Sequence, residues 1–211
     1  VLYQQGKTKE AEKYLNEAIR LDPKQFPALT HLGLIAVQQT NMDQAISHFR
    51  NALALAPANA RVRYNLGRGL LDQGKADEAI EHLQKALELE PNLVIAHYAL
   101  GQALAQRGEY DDALRHFTEA LQLQPGFADA HMGMGIVYGA KEDYEKAIVH
   151  FSEVLRIDPR RPGAHFNLGL IYQEQGKRDQ AREQFRETLK LKPSHTQAQQ
   201  HLDELEKNVR K

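Results

Sequence analysis

Six prolines, Pro23, Pro57, Pro91, Pro125, Pro159 and Pro193, follow one another at intervals of 34 residues, and that interval limits what this 211-residue chain can fold into. Alanines keep the same step at Ala11, Ala45, Ala79, Ala113, Ala147 and Ala181, and glycines keep it at Gly33, Gly67, Gly101, Gly135 and Gly169. Three independent ladders on one ruler mean internal repetition. A repeated unit of this size buries its apolar face only against its neighbours, so the expected product is an array and not a globule.

Inside each unit the apolar spacing is helical and is interrupted once. In residues 94–127, Ala96, Leu100, Ala103 and Leu104 form one stripe, and Ala113, Leu114, Phe117, Ala120 and Leu121 form a second. The break falls at Gly108, matched by Gly6, Gly74 and Gly176, where glycine can take a positive φ and end the first helix. Asp111, Asp43, Asp77 and Asp179 then stand where the second helix opens, with a carboxylate beside unsatisfied amides. The proline disfavours helix in the residue before it and closes the unit. Each unit therefore predicts an antiparallel helix pair. A glycine inside a helix costs about 1 kcal/mol relative to Ala, so the Gly33-type ladder implies a close backbone approach, with Gly101→Leu more harmful than Gly74→Leu.

These residues resemble the tetratricopeptide repeat (TPR) pattern Trp-x-x-Leu-Gly-x-x-Tyr, then Ala-x-x-x-Phe, then Ala and Pro. The chain answers with Leu66-Gly67, Leu100-Gly101, Met134-Gly135 with Tyr138, and Leu168-Gly169 with Tyr172. Ala45 with Phe49, Ala113 with Phe117, Ala147 with Phe151 and Ala181 with Phe185 supply the second half, followed by Ala52, Ala86 and Ala120. The Trp position departs, holding Leu29, Arg63, His97, His131 and His165, which is expected to loosen one packing site. The resemblance implies an all-α, right-handed TPR superhelix, an α-solenoid. Its divisions fall at 1–25 (a partial repeat), 26–59, 60–93, 94–127, 128–161 and 162–195, with a capping helix over 196–211. In that cap Ala198, Leu202, Leu205 and Val209 face inward, Gln199, Gln200, Glu204, Lys207 and Lys211 face out, and Asp203 replaces the glycine. Val1, Leu2 and Tyr3 read as the end of a first helix, with more chain expected upstream.

Charge and composition remove several function classes. Lys plus Arg number 27 against 28 Asp plus Glu, and basic Arg156, Arg160 and Arg161 sit beside Glu153 and Asp158, so no nucleic-acid partner is expected. Without cysteine there is no disulfide or thiolate chemistry. No apolar run reaches the roughly 18 residues of a membrane span, so a soluble protein is expected, cytoplasmic before periplasmic. Seven periodic histidines (His48, His82, His116, His150, His97, His131 and His165) read as packed rings, without a metal site or cofactor. The acid pairs Asp77-Glu78, Asp111-Asp112 and Glu142-Asp143 recur at helix starts and do not share a face, so they read as capping, and no enzyme is predicted.

The resemblance also implies where a partner would lie, on a concave surface made by the first helices. Its second position gives Arg61, Ile95 and Asp129; the fifth Thr30, Tyr64, Tyr98, Met132 and Phe166; the sixth Asn65, Gly133 and Asn167; the ninth Leu34, Arg68, Gln102, Ile136 and Leu170. Flat rings and a thioether suit a peptide or helix of a partner protein. The asparagines can pair with a peptide backbone, and Arg61 or Arg68 can hold a carboxylate. Gly133, Gly139 and Ala140 are expected to leave room beside Met132 and Ile136. The Lys/Asn clamp with which one subclass grips acidic chaperone tails is missing, since Thr30 and Leu34 precede Asn65, and Ile95 and Ala99 follow it. A glycosyltransferase-like Asn ladder is met only at Asn65 and Asn167. The leading expectation is a scaffold for a protein or peptide segment; the alternatives are the arm of a larger enzyme or assembly, or a self-associating homo-oligomer.

Overall fold

The computed structural model describes residues 8–207, and every regular element within them is an α-helix. They are α1 (Thr8–Leu21), α2 (Phe26–Gln38), α3 (Met42–Leu55), α4 (Ala60–Asp72), α5 (Ala76–Leu89), α6 (Val94–Gln106), α7 (Tyr110–Leu123), α8 (Ala128–Ala140), α9 (Tyr144–Ile157), α10 (Pro162–Glu174), α11 (Arg178–Leu191) and α12 (Thr196–Lys207). The chain divides into two units, residues 1–109 and 110–211. In the first, α2 packs on α3 and α4 on α5, with α1 against α2 and α6 against α5. In the second, α8 packs on α9 and α10 on α11, with α7 against α8 and α12 against α11. First helices of consecutive pairs also touch, α4 with α6 and α8 with α10. No described helix is long and apolar enough to cross a membrane. The reading of Val1, Leu2, Tyr3, Gly6, Val209 and Lys211 lies outside the described residues.

The proline ruler works as expected. Ala56, Glu90, Asp158 and Lys192, each just before a proline, leave the helix at φ near −135°, an extended backbone that ends the second helix. Within a pair the first helix ends on a left-handed residue with two returning amide bonds. At Gly74 (φ 76°), the Gly74 amide donates to the Leu71 carbonyl and the Lys75 amide to Leu70, at 2.9 Å each. Gly108 and Gly176 do the same. Thr40 (φ 59°) and Glu142 (φ 60°) occupy this position without glycine, and a side chain there is strained by roughly 1–2 kcal/mol. Thr40→Gly and Glu142→Gly are each expected to stabilise by about 0.5–1 kcal/mol after glycine's extra unfolded-state entropy is subtracted. Urea unfolding of the single variants checks this; an unchanged or lower midpoint would refute it.

The second helices begin one residue earlier than the acidic residues suggested. Asp43, Asp77, Asp111 and Asp179 are second residues of their helices and not caps. Side-chain caps on second helices come from Asn41 and Asp143, whose oxygens accept from the amides of Gln44 and Lys146, and Asn59 caps the first helix α4 through the Val62 amide. Asp43, Asp77 and Asp111 still meet the positive helix end. They also reach the turn of the following pair: Gln73 Nε2 donates to Asp43 at 2.6 Å, Arg107 lies 3.2 Å from Asp77, and Lys141 pairs with Asp111. Such exposed links contribute under about 1 kcal/mol each, but they repeat with the ruler.

The described glycines of the ladder are crowded by side chains, and at Gly67 by backbone as well. A Cβ on Gly33 would stand 2.4 Å from the Phe49 ring, on Gly135 2.6 Å from Phe151, and on Gly169 2.6 Å from Phe185. At Gly67 it would meet Leu83 at 2.8 Å and the Ala79 carbonyl oxygen at 3.2 Å. The ring, 16 residues on, thus occupies the space a side chain would need at the glycine, and the ladder alanines Ala45, Ala147 and Ala181 are fully buried. Gly74 is a poor foil for this effect, since its positive φ strains any side chain.

At the position where the family has Trp, the expected loose site is instead a hydrogen bond. Arg63 Nε donates to the Pro57 carbonyl at 3.0 Å, and the Nε2 atoms of His97 and His165 lie 2.8 and 3.3 Å from those of Pro91 and Pro159. The Pro125 carbonyl accepts from His131 in the same way. Proline bends each turn and this polar residue pins it. At the C-terminal end Ala198, Leu202 and Leu205 are buried, while Gln199, Gln200, Asp203, Glu204 and Lys207 are exposed, as the cap pattern predicts.

Candidate functional site

Twelve first-helix residues were expected to line a partner surface: Leu34, Arg61, Tyr64, Asn65, Arg68, Tyr98, Gln102, Met132, Ile136, Phe166, Asn167 and Leu170. None of them is fully buried; Arg61 and Ile136 are exposed and the rest are half-buried.

In the first unit, α4 and α6 bring four of these together. Arg68 Nη1 donates to Gln102 Oε1 across the two helices at 3.0 Å, and its charge lies within reach of both Tyr64 and Tyr98. Tyr64 rests one edge on buried Ala60, Ala86, Leu93 and Ala96, and this burial pushes its phenol up from the ordinary tyrosine range. Asp72, one turn along α4, binds Arg68 at 3.1 Å. The guanidinium offered to a partner carboxylate is therefore already neutralised, a pairing that the i, i+4 spacing of Arg68 and Asp72 could have disclosed. Arg61 stands apart, in a shallow depression with Ala58, Asn59, Leu89 and Glu90. The Asn65 amide makes no hydrogen bond among the described residues. Leu34 lies half-buried on α2.

The second unit uses more of its residues internally. Met132 packs on Ala147, Phe151, Leu168 and Ile171. Asn167 Nδ2 donates to the Gly163 carbonyl at 2.8 Å and touches Met132 Sδ at 4.0 Å, so α8 and α10 adjoin there. Phe166 stands 4.6 Å from the His195 ring and 5.9 Å from Phe185, and Leu170 joins the same cluster under α12. The space beside Gly133 is filled, because a Cβ there would lie 2.6 Å from the Phe117 ring; at Gly139 it would lie 3.3 Å from Ile171. Asp129 is held by Arg161. What remains open on this face is Ile136, 50% exposed, with the free edges of Met132 and Phe166.

Among the periodic histidines, His131 and His150 meet ring to ring, a direct contact that the sequence reading missed. His131 on α8 and His150 on α9 place their Nδ1 atoms 3.0 Å apart, and His165 meets Gln184 in the same register at 2.8 Å. A constant separation of 19 residues was the available sequence signal. Among the described residues no three groups converge that could hold a metal ion.

Comparison with known proteins agrees with this geometry. Profiles described as tetratricopeptide repeat match residues 1–60, 30–94, 64–128 and 98–162, and a second such profile matches 140–205. No curated protein sequence matches the chain. Among solved structures it is similar to a chain of the APC/C hetero-tetramer Cut9–Hcn1, at 22% identity and TM-score 0.87 over 97% of this chain; it spans only 41% of that larger chain. It is also similar to MamA, at 28% identity and TM-score 0.67, covering 79% of this chain and 97% of that one. YrrB, described as a TPR protein with an unusual peptide-binding site, matches at 21% identity and TM-score 0.66 over 88% of this chain and 96% of its own.

Proposed function

Because the chain belongs to the tetratricopeptide repeat family, whose folds generally serve as non-catalytic protein-interaction scaffolds, we propose that it binds a peptide or helix of a partner protein along its first-helix faces. The observation that carries this reading is the half-exposed pair Tyr64 and Tyr98, joined by the Arg68–Gln102 bridge. Helix packing leaves one side of each ring open, and Arg68 is spent on Asp72, so rings and not charge supply the attraction. An extended or helical segment laid there buries aromatic area at small rotamer cost, while Asn65 and Gln102 offer donors and acceptors to its backbone. In the second unit Ile136 is an exposed apolar residue on its own first-helix face. A described peptide-binding site in the structurally similar YrrB is consistent with this use of the fold.

The test is a peptide selected from a displayed library against the intact chain and titrated by calorimetry. Tyr64→Ala with Tyr98→Ala is expected to weaken its binding by roughly 10- to 100-fold, two truncated aromatic contacts at about 0.7–1.4 kcal/mol each, with helical circular dichroism retained. Unchanged affinity in the double tyrosine variant would refute the proposal.

A further inference from the structure

In the His131–His150 contact both partners can become cations within the physiological range. Their Nδ1 atoms lie 3.0 Å apart and their ring centroids 5.3 Å. At this distance one ring donates its Nδ1 proton to the lone pair on the Nδ1 of the other, across the two helices. One proton fits between the rings. A second places two N–H groups, and two positive charges, nose to nose.

We propose that this contact is a proton-operated latch, which holds α8 on α9 near neutral pH and releases the helix pair when both imidazoles are charged. The surroundings do not neutralise the second charge. On α9, Glu153 favours protonation of both rings but is itself held by Arg156 at 2.7 Å, and the Arg156 charge opposes protonation of His131. On α8, Tyr138 stacks on His150 at 5.4 Å, yet Lys146 already stands 5.1 Å from that tyrosine ring. The charges that act on the two rings are those of Glu153 and Arg156 and, on His150, that of His131. Burial holds both imidazoles below the usual histidine range, and His131 lowers His150 further. Folded histidines lowered in this way bind fewer protons than the unfolded chain. Their contribution is complete above the unfolded value of about 6.5 and is lost as pH falls below it.

The neighbouring pair supplies the control. His165 Nδ1 meets Gln184 Oε1 at 2.8 Å, and a glutamine amide can present either oxygen or nitrogen, so protonation breaks nothing there. His150→Gln therefore copies into α9 an arrangement that this chain already uses on α11.

Hydrogen exchange on the intact chain at pH 7.5 and 5.5, corrected for intrinsic rates, tests the latch. In the wild type the amides of α8 and α9 are expected to open about tenfold more readily at the lower pH, with α10 and α11 as internal reference. In His150→Gln the change in α8 and α9 is expected to fall to that of the reference helices. An equal pH response in wild type and variant, or none in the wild type, would overturn the proposal. Should the variant fold poorly, imidazole resonances of the wild type decide alone. Two well-separated protonation steps for His131 and His150 support the latch, and independent titration at ordinary values overturns it.

Discussion

Phe185→Ala is expected to destabilise the chain by about 3–5 kcal/mol, which for a protein of this size lowers its melting temperature by roughly 6–20 °C. The side chain is fully buried, seals Gly169 of α10, stacks on the His201 ring of α12 at 5.3 Å, and shares a core with Ala181, Ala198, Leu202 and Leu205. Truncation leaves a cavity that neither α10 nor α12 can close, because each is already held by its other neighbours. Repeats exchange stability only with adjacent repeats, so the damage should be local. Circular dichroism melting would show an early phase, and hydrogen exchange would show lost protection over α10–α12 while α2–α5 stay protected. A melting temperature within about 2 °C of wild type would mean that the cap does not rest on this ring.

How much of this was readable beforehand depends on whether a feature is set by one residue or by two. The proline ruler, the left-handed Gly74-type turns and the buried Ala79-type ladder each follow from a single residue's backbone or size, and all lie where the sequence places them. The acidic helix starts slipped by one residue because Asp is favourable both as a cap and at the next positions, where the dipole attracts it. Features that depend on a partner side chain were harder. Phe166 has the spacing of a surface ring, yet His195 and Phe185 claim much of it; Gly133 has the size of a gap, yet Phe117 fills it. The second residue comes from the same repeat's second helix and closing turn in the first case and from the preceding repeat in the other, and a position-by-position reading assigns each side chain to solvent or core without asking which neighbour arrives first. The His131–His150 contact was hidden for the same reason, since no residue on either helix announces it alone.

The pairing of a first-helix glycine with a ring 16 residues later leads to the second large effect. Gly135→Leu is expected to cost about 3 kcal/mol or more, and even Gly135→Ala should be unfavourable by about 1–2 kcal/mol, although alanine gains about 1 kcal/mol of helix propensity. The added Cβ would sit 2.6, 2.7 and 2.9 Å from three carbons of the Phe151 ring, which is itself fully buried and cannot swing away. Gly163→Ala in the same unit is the control, because its Cβ would meet only Met132 Cε at an ordinary 3.7 Å; it should be neutral or slightly stabilising. Phe151→Leu removes ring carbons that the added Cβ would meet, so the double variant with Gly135→Ala should lose less than the sum of the two single losses. Strict additivity in denaturant unfolding would show that glycine is kept here for some reason other than the ring above it.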